Sequence, residues 1–180
     1  MAVYAPSSFQ ELRTMLRRAV ETETGPAAVR YPRGGQGRYS ACQEADVARL
    51  REGTENAIVT YGFSVNDCLA ACDELGEAGI ETRLIKIGRI LPLPEEDILR
   101  ELEGCRRLFV VEEAVEAGCL GMQIAALLAA SGRSPEIRLI NAGRRFVTHG
   151  SAEQLRALCG LDAAGIVRTV KEAIDGESPS

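Results

Sequence analysis

From residue 57 onward, short apolar runs alternate with amphipathic segments, and this alternation limits the folds available to the chain. The runs predict strands over residues 57–61, 82–87, 108–111 and 136–140. The segments between and after them place apolar residues at helical spacing, and caps such as Ser151 and Asp162 mark helix starts. Repeated strand–helix units predict an α/β protein whose largely parallel sheet carries helices on both faces.

Composition narrows the class of protein further. The chain has 180 residues, of which 46% are hydrophobic and 26% charged, as in a soluble domain of ordinary size with an extension. A net charge of -5 argues against nucleic acid as a partner. No apolar run approaches the roughly 20 residues that span a bilayer, and residues 1–6 do not resemble a signal peptide. We therefore expect a cytoplasmic protein without a membrane partner.

The N-terminal residues predict an arm that precedes the main domain. Ser8 and Glu11 have the spacing of a capping box, which predicts a helix of roughly 13 residues. Its apolar stripe comprises Phe9, Leu12, Met15, Leu16, Ala19 and Val20. A short buried strand is predicted over 27–31. We divide the chain into this helix–strand arm (1–35), a polar, glycine-rich linker (36–46), the α/β domain (47–175) and a tail (176–180).

Arg33 is the first candidate for a binding residue. Pro32 lacks a backbone N–H and ends the predicted strand, so that Arg33 follows its carboxyl end and precedes Gly34 and Gly35. Ligands of open α/β sheets bind at that edge, and a guanidinium group matches phosphate oxygens. The position predicts a phosphate-binding arginine. A solvated loop arginine, or one paired with a carboxylate across the domain junction, is the alternative.

Three further residues are secondary candidates. Arg30 and Tyr31 point to opposite sides if the strand is regular, and we interpret Arg30 as an interdomain ion-pair partner. His149 is the sole histidine, but the sequence has no Gly-x-Ser-x-Gly elbow that would supply a nucleophile. A structural or interdomain role for His149 is therefore favoured. An anion site at the adjacent helix start, near Arg144 and Arg145, is the alternative.

Acidic residues and cysteines give no metal or catalytic pattern. Glu112 and Glu113 are neighbours at a strand end and point oppositely, so they cannot form an opposed carboxylate pair. We interpret them as part of a strand–turn–helix that lines a domain junction. The six cysteines contain no Cys-x-x-Cys pair, and one histidine cannot complete a Cys/His zinc set. Cys68 and Cys72, which share a helix face, are expected to be core residues, and the thiols are expected to be reduced.

Four short motifs occur in a characteristic order: Tyr31-Pro32-Arg33-Gly34, Tyr61-Gly62, Glu112-Glu113 and His149-Gly150-Ser151. Together they resemble the 1-deoxy-D-xylulose-5-phosphate synthases, which are transketolase-like thiamine diphosphate enzymes. The second and third motifs fit any transketolase-like C-terminal domain, whereas the first and fourth narrow the resemblance to the synthases. The resemblance implies a five-stranded mixed sheet with one antiparallel strand, for which residues 47–51 are the candidate.

The resemblance also implies an activity and a partner. Such an enzyme condenses pyruvate with glyceraldehyde 3-phosphate, releases carbon dioxide, and uses thiamine diphosphate for the carbanion chemistry. Arg33 matches the family arginine that contacts the acceptor phosphate. No Gly-Asp-Gly motif for the diphosphate and magnesium occurs in this sequence, and the activating glutamate is expected before Met1. We therefore expect no cofactor on this chain, which would be a C-terminal fragment or a separately encoded subunit.

The same resemblance predicts partners. A thiamine-binding N-terminal half and a small phosphorylated substrate are expected, in a homodimer. The apolar stripe of the first helix packs on a sheet of that half in the family, and without it the stripe should fray, fold back or pair with a second copy. Two other functions stay open: a non-catalytic phosphate-binding or docking module, and the C-terminal part of a 2-oxoacid dehydrogenase β subunit.

Overall fold

The computed structural model describes residues 1–32, 34–144 and 146–176, and it has α/β architecture. Its strands are β1 (Ala2–Tyr4), β2 (Ala27–Val29), β3 (Val47–Arg51), β4 (Asn56–Tyr61), β5 (Thr82–Ile87), β6 (Arg89–Leu91), β7 (Arg107–Val111) and β8 (Glu136–Ile140). Its α-helices are α1 (Phe9–Glu21), α2 (Val65–Glu77), α3 (Glu95–Glu101), α4 (Leu120–Ala130), α5 (Ala152–Leu158) and α6 (Ala163–Asp175). No helix in the described part of the chain is long and apolar enough to cross a membrane.

The main sheet has five strands in the order β3-β5-β4-β7-β8. β4 pairs in parallel with β5 and β7, β7 pairs in parallel with β8, and β3 is antiparallel to β5. Residues of β4, β5 and β7, the three central strands, are buried throughout, which explains the unbroken apolar run over residues 108–111. The predicted mixed sheet, with Val47–Arg51 as its antiparallel strand, is confirmed.

Helices cover both faces of the main sheet. One face packs against α2 and α6 through residues such as Cys68, Leu75 and Ile166. The opposite face packs against α3 and α4 through residues such as Ile98 and Ile124. Alternate residues of each strand belong to the two cores, as the period of a strand requires. The three-layer α/β/α prediction is confirmed, and the buried cysteines of α2 are core residues as expected.

A second, three-stranded sheet joins the arm to the main domain. Its order is β2-β1-β6, with β1 parallel to β2 and antiparallel to β6. The predicted buried strand over residues 27–31 was wrong in two respects: β2 ends at Val29, and its three residues are exposed or half-buried. The physical reason is that β2 is the edge strand of this sheet and pairs with β1 alone among the strands of the described residues.

Glu11 departs from its predicted role in a capping box. The Ser8 hydroxyl accepts a hydrogen bond from the Glu11 N–H at 3.1 Å, so half of the box is present. The Glu11 carboxylate accepts instead from the N–H of Ser7 at 2.9 Å and lies 2.9 Å from Nζ of Lys86 on β5. The Ser7 N–H and the buried Lys86 ammonium group thus engage the two oxygens of a carboxylate that a capping box would have directed to the Ser8 N–H.

The arm is folded back on the main domain. Met15 is buried, but Phe9, Leu16 and Val20 of the same predicted stripe are exposed. Arg18 pairs with Asp46 at 2.6 Å, which connects α1 to the start of β3. Of the three outcomes expected for this helix, the structure has the fold-back, and it leaves part of the apolar stripe uncovered.

Candidate functional site

A cleft lies between the arm and the carboxyl edge of the main sheet. Beyond β4, Gly62 has φ of +62° and directs the chain into a 3-10 turn that leads to α2. The segment after β2 crosses this edge. Two adjoining cavities of about 330 and 250 Å³ share Tyr31, Pro32 and Phe63 as lining residues. The cleft is therefore at the edge where ligands of open α/β sheets bind.

The larger cavity is mainly apolar. Pro6, Phe9 and Leu12 contribute from the start of the arm, opposite Tyr31 and Phe63. Polar groups are few. The Ser7 hydroxyl is buried and has no hydrogen-bond partner among the described residues, whereas the Gln36 side-chain oxygen accepts from the Phe9 N–H at 2.8 Å.

The smaller cavity is bordered by a chain of polar contacts. Nη1 of Arg30 donates to the Tyr61 hydroxyl at 2.8 Å, and that hydroxyl donates to Oε2 of Glu112 at 3.1 Å. Nη2 of Arg30 donates to the carbonyl oxygen of Glu113 at 2.5 Å. Burial and the Glu112 carboxylate raise the pKa of Tyr61 to about 12, although Arg30 acts in the opposite direction. The phenol therefore keeps its proton at neutral pH.

Glu112 and Glu113 have different surroundings. Glu112 is buried, and its two carboxylate oxygens accept from the N–H groups of Leu120 and Gly121 at 3.0 and 2.9 Å. These are the first residues of α4, where the helix dipole stabilises negative charge. Glu113 is exposed, and its carboxylate lies 3.7 Å from Nη1 of Arg156. The Glu112 carboxylate therefore binds the start of α4, whereas the Glu113 carboxylate pairs with Arg156 on α5, so the two do not face a common point.

The structure brings some of the predicted site residues together. Arg30 and Tyr31 both line the smaller cavity, and Tyr31 lines the larger one as well. Arg30 contacts a phenol and a carbonyl oxygen where we had expected a carboxylate partner. Arg33 lies outside the described residues, but its neighbours Pro32 and Gly34 line the larger cavity.

The His149 region is separate from this arrangement. His149 is exposed and does not line either cavity. Arg144, which we considered for an anion site there, pairs with Glu116 at 2.8 Å. Arg145, the other arginine of that alternative, lies outside the described residues.

Sequence reasoning did not identify Tyr61 and Glu112 as partners, although a signal existed. Thr60 and Val111 are register partners in the parallel pair of β4 and β7, so the next residues on each strand are neighbours. In the sequence the two residues belong to separate motifs, Tyr61-Gly62 and Glu112-Glu113. The burial of Ser7 and the contact of Gln36 with the Phe9 N–H had no comparable signal, because both depend on how the loop folds against α1.

The residues present do not fit thiamine diphosphate with magnesium. The sequence has no Gly-Asp-Gly motif, and no group of three acidic, cysteine or histidine side chains within the described ranges could hold a metal ion.

Residues 45–166 match the family described as transketolase, C-terminal domain. This match covers the main sheet, from just before β3, and most of its helices. The chain belongs to the transketolase C-terminal domain family.

Curated relatives from several bacteria carry one name, 1-deoxy-D-xylulose-5-phosphate synthase. The protein from Chlorobium luteolum is 33% identical over 96% of this chain, and that from Heliobacterium modesticaldum 34% over 98%. The protein from Thermomicrobium roseum is 36% identical over 92% of this chain. The chain covers 28%, 28% and 27% of these relatives, so it spans about a quarter of their length.

Solved structures of transketolases have the same fold as this C-terminal domain family member. A split-gene transketolase described as an inactive β4 tetramer superposes with a TM-score of 0.82 at 24% identity, over 97% of this chain and 57% of that one. A mutant transketolase from Pichia stipitis, in complex with fructose 6-phosphate, has a TM-score of 0.72 at 20% identity, over 95% of this chain and 25% of its own. At these identities the likeness concerns the fold alone.

Proposed function

We propose that this chain is the C-terminal part, as fragment or subunit, of a thiamine-diphosphate-dependent 1-deoxy-D-xylulose-5-phosphate synthase, and that it binds the phosphorylated acceptor. The observation that carries the proposal is the cleft at the carboxyl edge of the main sheet, which is lined by both described neighbours of Arg33. Relatives of that name, 33–36% identical over at least 92% of the chain, support this enzyme over a 2-oxoacid dehydrogenase β subunit.

Arg33 binds the phosphate of glyceraldehyde 3-phosphate in this proposal. A guanidinium group offers paired donors that suit phosphate oxygens, and a charge-assisted pair of this kind is stronger than a neutral hydrogen bond. Arg30 is held by Tyr61 and by the Glu113 carbonyl, so it is already engaged within the protein. Of the two arginines, Arg33 is therefore assigned to the substrate and Arg30 to the structure around it.

The rest of the enzyme comes from a thiamine-binding half. That half would hold thiamine diphosphate with magnesium, and the cofactor would supply there the electron sink that carbanion chemistry needs. Residues 1–35 complete a domain of that half, 36–46 are the connection, and 47–175 form the C-terminal domain. We propose a homodimeric, cytoplasmic enzyme. The exposed apolar residues of α1, including Phe9 and Val20, are the surface for docking.

Arg33→Ala tests this assignment in the complete enzyme. The Michaelis constant for glyceraldehyde 3-phosphate should rise about tenfold to a hundredfold, as expected for a lost charged contact, while the constant for pyruvate barely changes. Arg33→Lys should recover part of the loss, because an ammonium group cannot reproduce the paired geometry. Arg168→Ala is the matched control, since Arg168 is exposed on α6 and does not line the cleft.

Two results would contradict the assignment. Equal losses for pyruvate and glyceraldehyde 3-phosphate would give Arg33 a folding or interface role, and unchanged constants would place the phosphate elsewhere. Binding of a phosphorylated molecule by the chain alone, without any gain of activity when the thiamine-binding half is added, would favour the non-catalytic module.

A further inference from the structure

The part of the arm that lines the cleft is held at a few points. The described residues 31–32 and 34–37 form neither helix nor strand, so contacts at their two ends determine where they lie. At the later end, Gln36 accepts from the Phe9 N–H at 2.8 Å. Gly37 packs so closely on α2 that a Cβ there would be 2.3 Å from Oδ1 of Asn66. At the earlier end, the contacts are those of Arg30.

Arg30 connects the arm to the sheet edge through one side chain. Its backbone N–H donates to the Tyr4 carbonyl at 2.8 Å, which continues the pairing of the small sheet. Its guanidinium group lies over the Tyr61 ring, 5.2 Å from the centroid, and donates to the hydroxyl of that ring. A second nitrogen donates to the Glu113 carbonyl oxygen. The contacts of this guanidinium thus reach the ends of two neighbouring strands, β4 and β7.

The chemistry of the three side chains Arg30, Tyr61 and Glu112 determines which group donates each hydrogen bond. An arginine can only donate and a carboxylate can only accept, so the Tyr61 hydroxyl must accept from Arg30 and donate to Glu112. Glu112 is itself fixed, because its two oxygens accept from the first two N–H groups of α4. The chain of contacts therefore runs from a rigid helix start, through a buried phenol, to the arm.

We propose that Arg30 is a positioning residue for acceptor binding, held in place by Tyr61 and Glu112. It fixes Tyr31 and Pro32 as the wall shared by both cavities, and thereby keeps the cleft in its binding shape. Pre-organisation of this kind reduces the ordering that the ligand would otherwise have to impose. The role in acceptor binding rests on the proposed function, whereas the attachment of the arm does not.

Hydrogen exchange of the chain alone tests the attachment. Tyr61→Phe keeps the ring under Arg30 but removes both hydrogen bonds of the hydroxyl, and Arg30→Lys keeps the charge but cannot reach two acceptors in the same way. In both variants, peptides over residues 30–37 should exchange about fivefold faster, as expected for one lost hydrogen bond, with the main sheet unchanged. Arg38→Ala is the matched control, since Arg38 belongs to the same loop but pairs with Asp73 on the surface at 3.1 Å.

Two exchange results would overturn the proposal. Unchanged exchange over residues 30–37 in both variants would mean that the hydroxyl does not hold the segment. Equally faster exchange over the whole chain in both would mean that the contacts stabilise the fold in general.

Kinetics of the complete enzyme test the role in binding. Tyr61→Phe and Arg30→Lys should each raise the Michaelis constant for glyceraldehyde 3-phosphate about fivefold, with the turnover number and the constant for pyruvate unchanged. If Arg33→Ala raises that constant and these two variants do not, the positioning role is wrong. If Arg33→Ala itself has no effect, the proposed function fails, and the exchange experiment alone decides the attachment.

Discussion

The Glu11 carboxylate lies 2.9 Å from the Lys86 ammonium group, and neither side chain is exposed to solvent. Glu11 belongs to the arm helix α1 and Lys86 to β5 of the main sheet, so this ion pair joins the two parts of the chain. The Tyr39 hydroxyl and the Gln43 N–H also donate to Glu11, at 3.0 and 3.2 Å. Nζ of Lys86 has no hydrogen-bond partner within the described ranges, so its contact with Glu11 is an ion pair without hydrogen-bond geometry. One carboxylate thus organises the arm, the linker and the sheet.

Lys86→Met should destabilise the protein strongly. The variant leaves the Glu11 carboxylate buried without its cation, and removing one member of a buried ion pair costs about 3–5 kcal/mol. The free energy of unfolding in urea measures this loss. The double variant Glu11→Gln with Lys86→Met should recover much of it, because no buried charge remains.

The surface pair of Arg38 and Asp73 provides the control. Both side chains are well exposed, so Arg38→Ala should change the free energy of unfolding by less than about 1 kcal/mol. A loss for Lys86→Met as small as that of Arg38→Ala would show that the ion pair does not hold the arm.

Two glycines on helices should respond oppositely to substitution by alanine. At Gly121 on α4 a Cβ would lie 2.4 Å from Cδ2 of Leu139 and 3.3 Å from Oε1 of Glu112, so Gly121→Ala should cost about 1–3 kcal/mol through overpacking. At Gly76 on α2 a Cβ would meet none of the described residues within 4 Å, and Gly76→Ala should stabilise by about 0.5–1 kcal/mol through helix propensity. Thermal unfolding of both variants measures the direction of each stability change. A stabilised Gly121→Ala variant would contradict the close packing of α4 on β8.

Stability should fall at alkaline pH because of buried thiols. Burial raises the pKa of Cys72 to about 12 and that of Cys105 to about 11, from an ordinary value of 9.0. Above pH 9 the unfolded chain ionises these thiols while the folded protein keeps them neutral. Their contribution is therefore complete below pH 9 and is lost as the pH rises towards 11–12, by at most about 1.4 kcal/mol per pH unit for each thiol.

Urea unfolding between pH 8 and 11 tests this prediction. The variant with Cys72→Ala and Cys105→Ala should be less stable at pH 8 but should lose stability less steeply above pH 9. An unchanged slope in the double variant would show that these two thiols are not the groups responsible.

Much of the main sheet could be predicted because its strands alternate with amphipathic helices along the chain and lie between glycine or proline residues. The bounds predicted for the strands Thr82–Ile87 and Glu136–Ile140 agree with the structure. The bounds predicted for the antiparallel strand, Val47–Arg51, agree as well. Clustered apolar residues next to glycine or proline leave few alternatives for the first two strands, whereas the antiparallel strand follows from the family resemblance. β6 was missed, because its three residues are ordered by pairing with β1, which lies far away in the sequence.

The candidate site was predictable to a smaller extent. The pairing of Tyr61 with Glu112 follows from the register of two predicted parallel strands. The partners of Arg30 cannot be read from strand register, because they depend on how the arm folds over the sheet. Glu11 illustrates the same limit: its spacing from Ser8 predicts a local capping box, but the tertiary contact with Lys86 determines where its carboxylate lies.

The most direct test of the proposed function is reconstitution with a thiamine-binding half encoded by the same genome. The mixture, supplied with thiamine diphosphate, magnesium, pyruvate and glyceraldehyde 3-phosphate, should form 1-deoxy-D-xylulose 5-phosphate and carbon dioxide. Neither protein alone should do so, and calorimetry should detect no cofactor binding by this chain alone. Formation of the product at the same rate without this chain, or the absence of product from a stably assembled mixture, would contradict the account.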